Sequence, residues 1–406
     1  MRIGLVSPFW PPHHGGIAVY AYRLARALRA AGCEVEVFCA TPEDPARDNG
    51  DLDVTRCCEG GLFQRATWLQ AQAAGAPAEL GLRVRRFFDA ALAWARAGAY
   101  EIVLVNAPLT EARLVQAREL FLALRARGVR VGALHHDLGD ETTRELAAAR
   151  RAAGCWERAA QTVAADIARR LRAAAVPDTY RRMGSPLFFA PDFVVSCSVW
   201  SDRFVDPLGS VPRFVLHPLL DAPRAAAQGS LPPVDVLMVN PQKRKAPVIM
   251  ANLVADAAPG WTFRVLKGGW GDAFGQWVPL IENTAAHREG RVALVDYVPS
   301  MAAVFAAARL TFFPSRAEGY GLVAAESLAA GVPVVASSHP AILEAVGDAA
   351  RLLCPFEAPR EAWRAAVAQV LAERRRWSAR GAERAMTLRS RGAAEIAAFV
   401  DFLRSP

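Results

Sequence analysis

Residues 313–326 read FPSRAEGYGLVAAE, and this stretch decides the fold prediction. The apolar run that ends at Phe313 predicts a strand, Gly319 and Gly321 predict a turn, and a helical period follows. A helix that opens directly after such a turn presents unpaired backbone N–H groups and a partial positive charge, which suit a diphosphate. The stretch therefore predicts an anion-binding strand–turn–helix unit of an α/β protein.

Two glutamates flank this turn, Glu318 before the predicted helix and Glu326 within it. Each carboxylate can accept hydrogen bonds from a pair of hydroxyl groups, one pair on a sugar and the other on a ribose. The alternative is structural, with Glu318 as a helix cap and Glu326 on a solvated helix face. The stretch alone leaves both interpretations open.

Outward from this stretch, apolar runs of strand length alternate with stretches of helical period along the chain of 406 residues. This alternation predicts parallel sheets flanked by helices. A Pro-, Gly- and Ser-rich segment divides the pattern into two similar halves, so a ligand cleft between two domains is expected. We predict a first domain at 1–218, a linker at 219–233, a second domain at 234–388, and a final helix at 389–406 that packs back on the first domain.

The predicted strands are short apolar runs, and the predicted helices are longer stretches of helical period. The strands are residues 3–7, 34–39, 102–105, 131–134, 193–196, 234–239, 262–267, 292–295, 310–313 and 333–337. The helices are residues 19–31, 80–98, 111–127, 141–175, 248–257, 301–308, 321–330, 361–388 and 393–404.

The composition is that of a globular protein, with 53% hydrophobic and 22% charged residues and a net charge of +8. The positive charge suits a phosphate-bearing ligand, but no nucleic-acid-binding pattern accompanies it, so no nucleic-acid partner is expected. Seven cysteines without a C-x-x-C pair, and no apolar run of about 18 residues, indicate a cytoplasmic protein. The basic amphipathic helix at 80–98 either contacts the inner face of a membrane or packs on its own domain.

Several motifs, in this order, resemble those of glycosyltransferase family 4, whose members have the GT-B fold. They are the glycine loop and helix at 7–28, His136-Asp137-Leu138, the strand at 192–198, Tyr297-Val298-Pro299, the glutamate pair with the strand at 330–336, and residues 344–353. Each motif is short, but together they span nearly the whole chain. The resemblance implies two Rossmann-like domains that face each other across a cleft. It also implies transfer of a sugar from a nucleoside-diphosphate sugar, with UDP as the commonest nucleotide and with retention of configuration.

The resemblance implies a role for each matching residue of the second domain. Glu318 would contact the donor sugar, Glu326 would contact the ribose, and Lys245 would bind a phosphate. The turn amides that would bind the diphosphate are those of Gly319, Tyr320, Gly321, Leu322 and Val323. Glu318 and Lys245 are thereby candidates for catalysis as well as for binding.

The loop around Lys245 departs from the family pattern. Pro241 stands where the family commonly has arginine, and Ala246 replaces the glycine after the lysine. Lys243 or Arg244 would then supply the second positive charge. The alternative is that this loop is only a solvated basic segment.

In the first domain, Gly15 and Gly16 would approach the diphosphate or the reacting sugar, unless they only form a tight turn. His136 would hydrogen-bond the sugar near the reaction centre, although the adjacent His135 leaves the register open. His13 and His14 could line the acceptor side. Gly268-Gly269-Trp270, after a predicted strand, could border the base or only form a turn.

No metal and no other cofactor are expected. The one Asp-x-Asp, Asp51-Leu52-Asp53, lies in a polar loop of the first domain. No residue is placed as a covalent nucleophile, so we expect front-face attack with the leaving phosphate as base. The acceptor is undetermined, with a cell-envelope glycan, a glycolipid and a natural product all possible. A GT-B epimerase or hydrolase, and an inactive nucleotide-sugar-binding protein, remain alternatives.

Overall fold

The computed structural model describes residues 1–11, 15–40, 52–57, 77–106, 111–136, 138, 140–173, 186–206, 208–221, 231–241, 243–267, 273–295 and 301–405. They form two compact units, the first from Met1–Leu219 with Gly392–Pro406 and the second from Leu220–Arg391. Each unit is built on a parallel sheet with helices between its strands. The predicted class, an α/β protein of two Rossmann-like units, is therefore confirmed. Residues 222–230 of the predicted linker lie outside the described residues.

In the first unit, the strands of the described residues lie side by side in the order β3-β2-β1-β4-β5-β6-β7. The strands are β1 (Arg2–Ser7), β2 (Glu34–Cys39), β3 (Asp53–Arg56), β4 (Ile102–Val105), β5 (Arg130–His135), β6 (Phe193–Ser196) and β7 (Arg213–Val215). The helices are α1 (Gly16–Ala30), α2 (Pro77–Ala97), α3 (Glu111–Arg125), α4 (Asp140–Ala153), α5 (Trp156–Ala173) and α6 (Val199–Val205). Because the strand order reverses between β1 and β4, the ends of these two strands form a position where ligands of open sheets bind.

The helix predicted at 141–175 is two helices in the structure. The first ends at Ala153 and the second begins at Trp156. Gly154 between them has a φ of 70°, a left-handed conformation that ends a helix readily in glycine. The apolar period continues across this break, which is why the sequence predicted a single helix.

The basic helix α2 buries its apolar side within the first unit. Val84 and Phe87 have no exposed surface, and the Phe87 ring lies 5.5 Å from that of Phe38. This packing supports the interpretation of α2 as a surface helix of its own domain. Of the helices in the described residues, none is long and apolar enough to cross a membrane.

In the second unit, the described strands have the order β10-β9-β8-β11-β12-β13. They are β8 (Val234–Val239), β9 (Phe263–Leu266), β10 (Val292–Val295), β11 (Ala308–Phe313), β12 (Val334–Ser337) and β13 (Arg351–Leu353). The helices are α7 (Pro247–Ala255), α8 (Ala273–Glu282), α9 (Ala285–Arg288), α10 (Met301–Ala306), α11 (Leu322–Ala329), α12 (Pro340–Val346), α13 (Arg360–Ala372) and α14 (Arg374–Arg404). The strand order again reverses at its centre, between β8 and β11. The ends of these strands carry the two loops that the sequence singled out.

The last helix, α14, runs without a break from Arg374 to Arg404. The prediction of separate helices at 361–388 and 393–404 was therefore wrong, because the break lies at residue 373 and Gly392 remains helical. A glycine inside a helix costs only about 1 kcal/mol relative to alanine. A side chain at position 392 would lie 2.9 Å from Leu219 Cδ2, so close packing explains the glycine.

The carboxyl-terminal end of α14 packs within the first unit. The ring of Phe402 lies 5.4 Å from the rings of both Phe193 and Phe214, and Phe399 has no exposed surface. Arg130 of β5 donates from Nη1 to the carbonyl oxygen of Leu403 at 2.9 Å. Aromatic burial of this extent contributes several kcal/mol to stability.

Candidate functional site

The strand–turn–helix of the second unit connects β11 to α11 through residues 314–321. Gly321 caps the helix with φ 99° and ψ 42°, a conformation that side-chain-bearing residues rarely adopt. A Cβ atom at this position would also lie 3.3 Å from Ile342 Cγ1. The glycine is therefore required by the turn itself.

The first amides of α11 precede its hydrogen-bonded ladder. Ala324 and Ala325 donate to the carbonyl oxygen of Gly321, at 3.0 and 3.2 Å. The amides of Leu322 and Val323 come before these bonds and have no acceptor within the helix. This end of the helix can therefore hold an anion such as a phosphate.

Lys245 and Glu318 form an ion pair at the start of this turn. Lys245 Nζ donates to Glu318 Oε1, and the ammonium group also lies 5.3 Å from the centre of the Phe313 ring. Only 20% of the lysine side chain and 9% of the glutamate side chain are exposed. The structure thus brings together the two predicted catalytic residues of the second domain, in a position largely shielded from solvent.

Backbone hydrogen bonds join the basic loop to the glycine turn. The carbonyl oxygen of Arg244 accepts from the amide of Arg316 at 2.8 Å and from the amide of Ala317 at 3.4 Å. Lys243, Arg244 and Lys245 form a single 3-10 turn after β8. Arg244 is half-buried, whereas the side chain of Lys243 lies outside the description. The choice between them as a second phosphate-binding cation therefore remains a prediction.

Ala246, which replaces the family's glycine, adopts φ 51° and ψ 58° at the cap of α7. For a residue with a Cβ atom, this left-handed conformation costs roughly 1–2 kcal/mol. We expect Ala246→Gly to raise the free energy of unfolding by about 1 kcal/mol, because glycine relieves this cost and its greater freedom in the unfolded chain offsets only part of the gain. Urea denaturation measures the change. An unchanged or lower stability would show that the alanine conformation carries no strain.

The side chain of Tyr320 packs within the second unit and fixes the turn in place. Its ring is buried, and its hydroxyl oxygen accepts from Arg391 Nη2 at 2.7 Å. Glu326 lies half-buried on α11, one helical turn after the first amides. Tyr320 therefore anchors the turn, and its contribution to diphosphate binding through the backbone remains a prediction.

His339 follows β12 and lies near Lys245. It caps α12 by accepting from the amide of Ala341 at Nδ1, at 3.3 Å. Burial, with the positive charge of Lys245 as a second cause, lowers the pKa of His339 to about 3. The imidazole is therefore neutral at physiological pH.

In the first unit, His136 follows β5 and lies beside helix α1. Its ring meets the Tyr20 ring edge to face, with 4.6 Å between the ring centres. Its Nε2 atom is hydrogen-bonded to Asn106 Oδ1, and Asn106 Nδ2 lies 3.3 Å from the carbonyl oxygen of Ile17. The structure thus connects His136 to the helix that Gly15 caps and Gly16 begins.

The two neighbouring histidines, His135 and His136, lie in different environments. His135 is buried, neither of its ring nitrogens has a hydrogen-bond partner among the described residues, and burial lowers its pKa to about 4. His136 is half-buried and hydrogen-bonded. This difference supports His136 as the residue that faces a ligand.

Several predicted positions lie outside the described residues. They are His13, His14, Asp51, Asp137, Gly268-Gly269-Trp270 and Tyr297-Val298-Pro299. Asp53 is described, and it lies exposed in β3. Within the described part of the chain, no cluster of three or more His, Cys, Asp or Glu residues could hold a metal ion.

Four residues beside the site were missed at the sequence level: Asn106, Phe313, His339 and Arg391. Asn106 and His339 each follow a buried strand, and a polar residue at that position is a signal that could have been used. Phe313 was assigned only to a strand. Arg391 has no local signal, because its partner Tyr320 lies far away in sequence.

Comparison with known protein families gives two matches, one in each half of the chain. Residues 14–180 match the profile of Glycosyltransferase Family 4, and residues 249–373 match the profile of Glycosyl transferases group 1. The chain is also similar to O-antigen chain mannosyltransferase B of Escherichia coli, with 39% identity over 95 residues. That similarity covers 22% of this chain and 24% of the relative, so about a quarter of the relative's length is matched.

Solved structures of similar fold cover nearly the whole chain. Sucrose-phosphate synthase from Thermosynechococcus elongatus aligns with a TM-score of 0.69 and 20% identity over 99% of both chains. HepE from Anabaena, solved in complex with UDP and glucose, aligns with a TM-score of 0.64 and 16% identity over 100% of both chains. At these identities the comparison shows the shared fold.

Two Rossmann-like units, the second with a glycine turn that leads from a strand into a helix, define a protein of GT-B architecture. The two profile matches extend this assignment from the fold to the family, because each half of the chain matches a glycosyltransferase profile. The chain belongs to the GT-B glycosyltransferases, and its resemblance to family 4 is confirmed.

Proposed function

We propose that the chain transfers a sugar from a nucleoside-diphosphate sugar to a hydroxyl group, with retention of configuration and without a metal. The observation that carries this proposal is the shielded Lys245–Glu318 ion pair in the turn that leads into α11. Lys245 and the amides of Leu322 and Val323 offer positive charge to a diphosphate, while Glu318 offers an acceptor to sugar hydroxyls. Glu326, farther along the helix, would bind the ribose.

The proposed reaction is a front-face substitution at the anomeric carbon. The acceptor oxygen forms a bond to that carbon while the bond from the carbon to the diphosphate oxygen breaks. The nucleoside diphosphate leaves with the bonding electron pair and takes the proton of the acceptor hydroxyl. Lys245 and the helix amides stabilise the charge that develops on the leaving group, and this stabilisation is a principal source of catalysis in such sites.

The names of similar proteins supply the proposed substrates. The structural relative HepE was solved with UDP and glucose, which supports a UDP-sugar as donor. The relative named O-antigen chain mannosyltransferase B supports a mannosyl donor and a cell-envelope glycan as acceptor. GDP-sugars therefore have to be tested beside UDP-sugars. A peripheral membrane contact through α2 remains part of this proposal, because such an acceptor can be membrane-linked.

Donor binding is tested by thermal denaturation with UDP, GDP, UDP-glucose and GDP-mannose. A ligand present at about 100 times its Kd adds about 2.7 kcal/mol to the stability of the folded state. We expect one nucleotide and its sugar to raise the Tm, and we expect Glu318→Gln to reduce the additional gain from the sugar. If no nucleotide raises the Tm, the donor site is wrong.

The product of the reaction separates transfer from the alternatives. With the stabilising donor, release of the nucleoside diphosphate should depend on an added hydroxyl acceptor. Release without any acceptor would indicate a hydrolase. Isomerisation of the sugar would indicate an epimerase, and binding without turnover in the presence of many acceptors would indicate an inactive binding protein.

A further inference from the structure

Asn106 stands at the end of β4, at the point where the strand order of the first sheet reverses. Its side chain has no exposed surface, although the sequence around it gives no motif. The amide group lies among three partners, Ser7 Oγ at 2.9 Å, the carbonyl oxygen of Ile17 at 3.3 Å, and His136 Nε2. Buried amide groups are normally fully hydrogen-bonded, so these contacts define how the group is oriented.

The direction of each hydrogen bond follows from the chemistry of the partners. The carbonyl oxygen of Ile17 can only accept, so the atom of Asn106 that faces it must be the NH₂ group. The hydroxyl group of Ser7 donates its single hydrogen to the carbonyl oxygen of Phe9, at 2.6 Å. Toward Asn106 it can therefore only accept, and it accepts from the same NH₂ group. The oxygen of Asn106 is left for His136, and an amide oxygen has no proton to give.

His136 must therefore carry a proton on Nε2. Burial, with His135 as a second cause, lowers the pKa of His136 to about 3, so the ring is neutral and has a single N–H group. With that proton on Nε2, the other ring nitrogen, Nδ1, has a free lone pair. Because the side chain is half-buried rather than fully enclosed, Nδ1 can accept a hydrogen bond from a ligand.

We propose that Asn106 is a positioning residue that fixes the Nε2-protonated tautomer of His136, so that Nδ1 accepts a hydrogen bond from a substrate hydroxyl group. The chain from Ser7 through Asn106 to His136 ties this tautomer to the backbone of β1 and α1. That the hydroxyl belongs to a sugar rests on the proposed transferase function. The tautomer itself does not depend on that function.

The tautomer is measured on the whole protein by NMR, with nitrogen-15 in the histidine rings. His136→Gln identifies the signals of His136, because they disappear in that variant. We expect the wild-type ring to show a protonated Nε2 and an unprotonated Nδ1 at neutral pH. A protonated Nδ1 in the wild type would overturn the proposal without any activity measurement.

Asn106→Leu removes the acceptor with little change in volume, and Asn106→Ser is a second variant in case the first does not fold. We expect either variant to populate both tautomers of His136. Where a transfer assay exists, we expect kcat to fall about tenfold, the effect of one lost hydrogen bond, with little change in donor KM. An unchanged tautomer, or unchanged kcat with an altered tautomer, would contradict the proposed role.

Ser196→Ala is the matched control, because Ser196 also stands buried at the end of a neighbouring strand and donates to Asp202 at 2.9 Å. It should lower the Tm by a similar amount without changing the His136 signals. An equal change of those signals in this control would show that general loosening of the sheet, rather than Asn106, determines the tautomer. If the protein binds no nucleotide at all, the NMR result still determines the tautomer of His136. Only the assignment of the hydroxyl group to a sugar would then be wrong.

Discussion

Replacement of Lys245 by Met is expected to lower kcat for sugar transfer about 100- to 1000-fold. The ammonium group lies in a shielded position beside Glu318, and in such a position a positive charge stabilises a leaving diphosphate far more than it would in water. Met keeps an unbranched side chain of similar length and removes the charge together with its contacts to Glu318 and to the ring of Phe313. Steady-state kinetics with the donor identified by thermal denaturation measure the effect.

Arg360→Met is the matched control for this substitution. Arg360 also pairs with a carboxylate of the second unit, Asp256, at 2.8 Å, but the pair is exposed and forms no part of the proposed site. We expect the control to retain its kcat, and Lys245→Arg to recover part of the lost rate. Equal rates in the wild type and in Lys245→Met would exclude Lys245 from phosphate binding. If circular dichroism shows that Lys245→Met is partly unfolded, the kinetics would be measured again in the double variant with Glu318→Gln. The second substitution removes the buried carboxylate that Lys245→Met leaves unpaired.

Acidification is expected to destabilise the protein already between pH 6.5 and pH 5. Burial lowers the pKa of His135 to about 4 and the pKa values of His136 and His339 to about 3, from 6.5 in the unfolded chain. Above pH 6.5 both states are neutral and these residues have no effect. As pH falls below 6.5, the unfolded chain binds protons that the folded protein does not, so the free energy of unfolding falls by about 2 kcal/mol per histidine by pH 5.

His339→Asn tests this explanation at one position. Asparagine can still accept from the amide of Ala341 and is a favourable helix cap, but it does not titrate. In urea denaturation at pH 7 and pH 5, the variant should lose about 2 kcal/mol less than the wild type. If both proteins lose the same stability, His339 is protonated in the folded state, and its pKa is not lowered despite its burial and the nearby Lys245.

The sequence could predict those parts of the site that are coded locally. The strand, turn and helix around Gly321 follow from an apolar run, two glycines and a helical period. All three signals lie close together in the sequence, so they can be recognised without knowledge of distant contacts. The basic loop is equally local, because it directly follows β8. The turn resembles its counterpart in the family, and the basic loop shares the lysine but departs from the family pattern at Pro241 and Ala246. The resemblance therefore added roles to elements that the hydrophobic periodicity had already predicted.

The remaining parts depend on contacts between residues distant in sequence. Nothing near Asn106 indicates that it reaches His136, since only the parallel pairing of β4 and β5 brings the two strand ends together. The anchoring of Tyr320 by Arg391 is hidden for the same reason. The extent of α14 was misjudged because Gly392 was taken as an end, whereas its small size is needed for packing against Leu219.

The packing of the last turns of α14 on β6 and β7 affects the order in which this chain can fold during synthesis. Phe193 and Phe214 leave the ribosome long before Phe399 and Phe402, the rings that cover them. Until then, the first unit exposes an aromatic surface at one side of its sheet, whereas the second unit has all its strands and can complete its own core. Contacts of such long sequence separation form late, and uncovered apolar surface invites aggregation or chaperone binding. The unit that begins the chain is thus the one that finishes folding last.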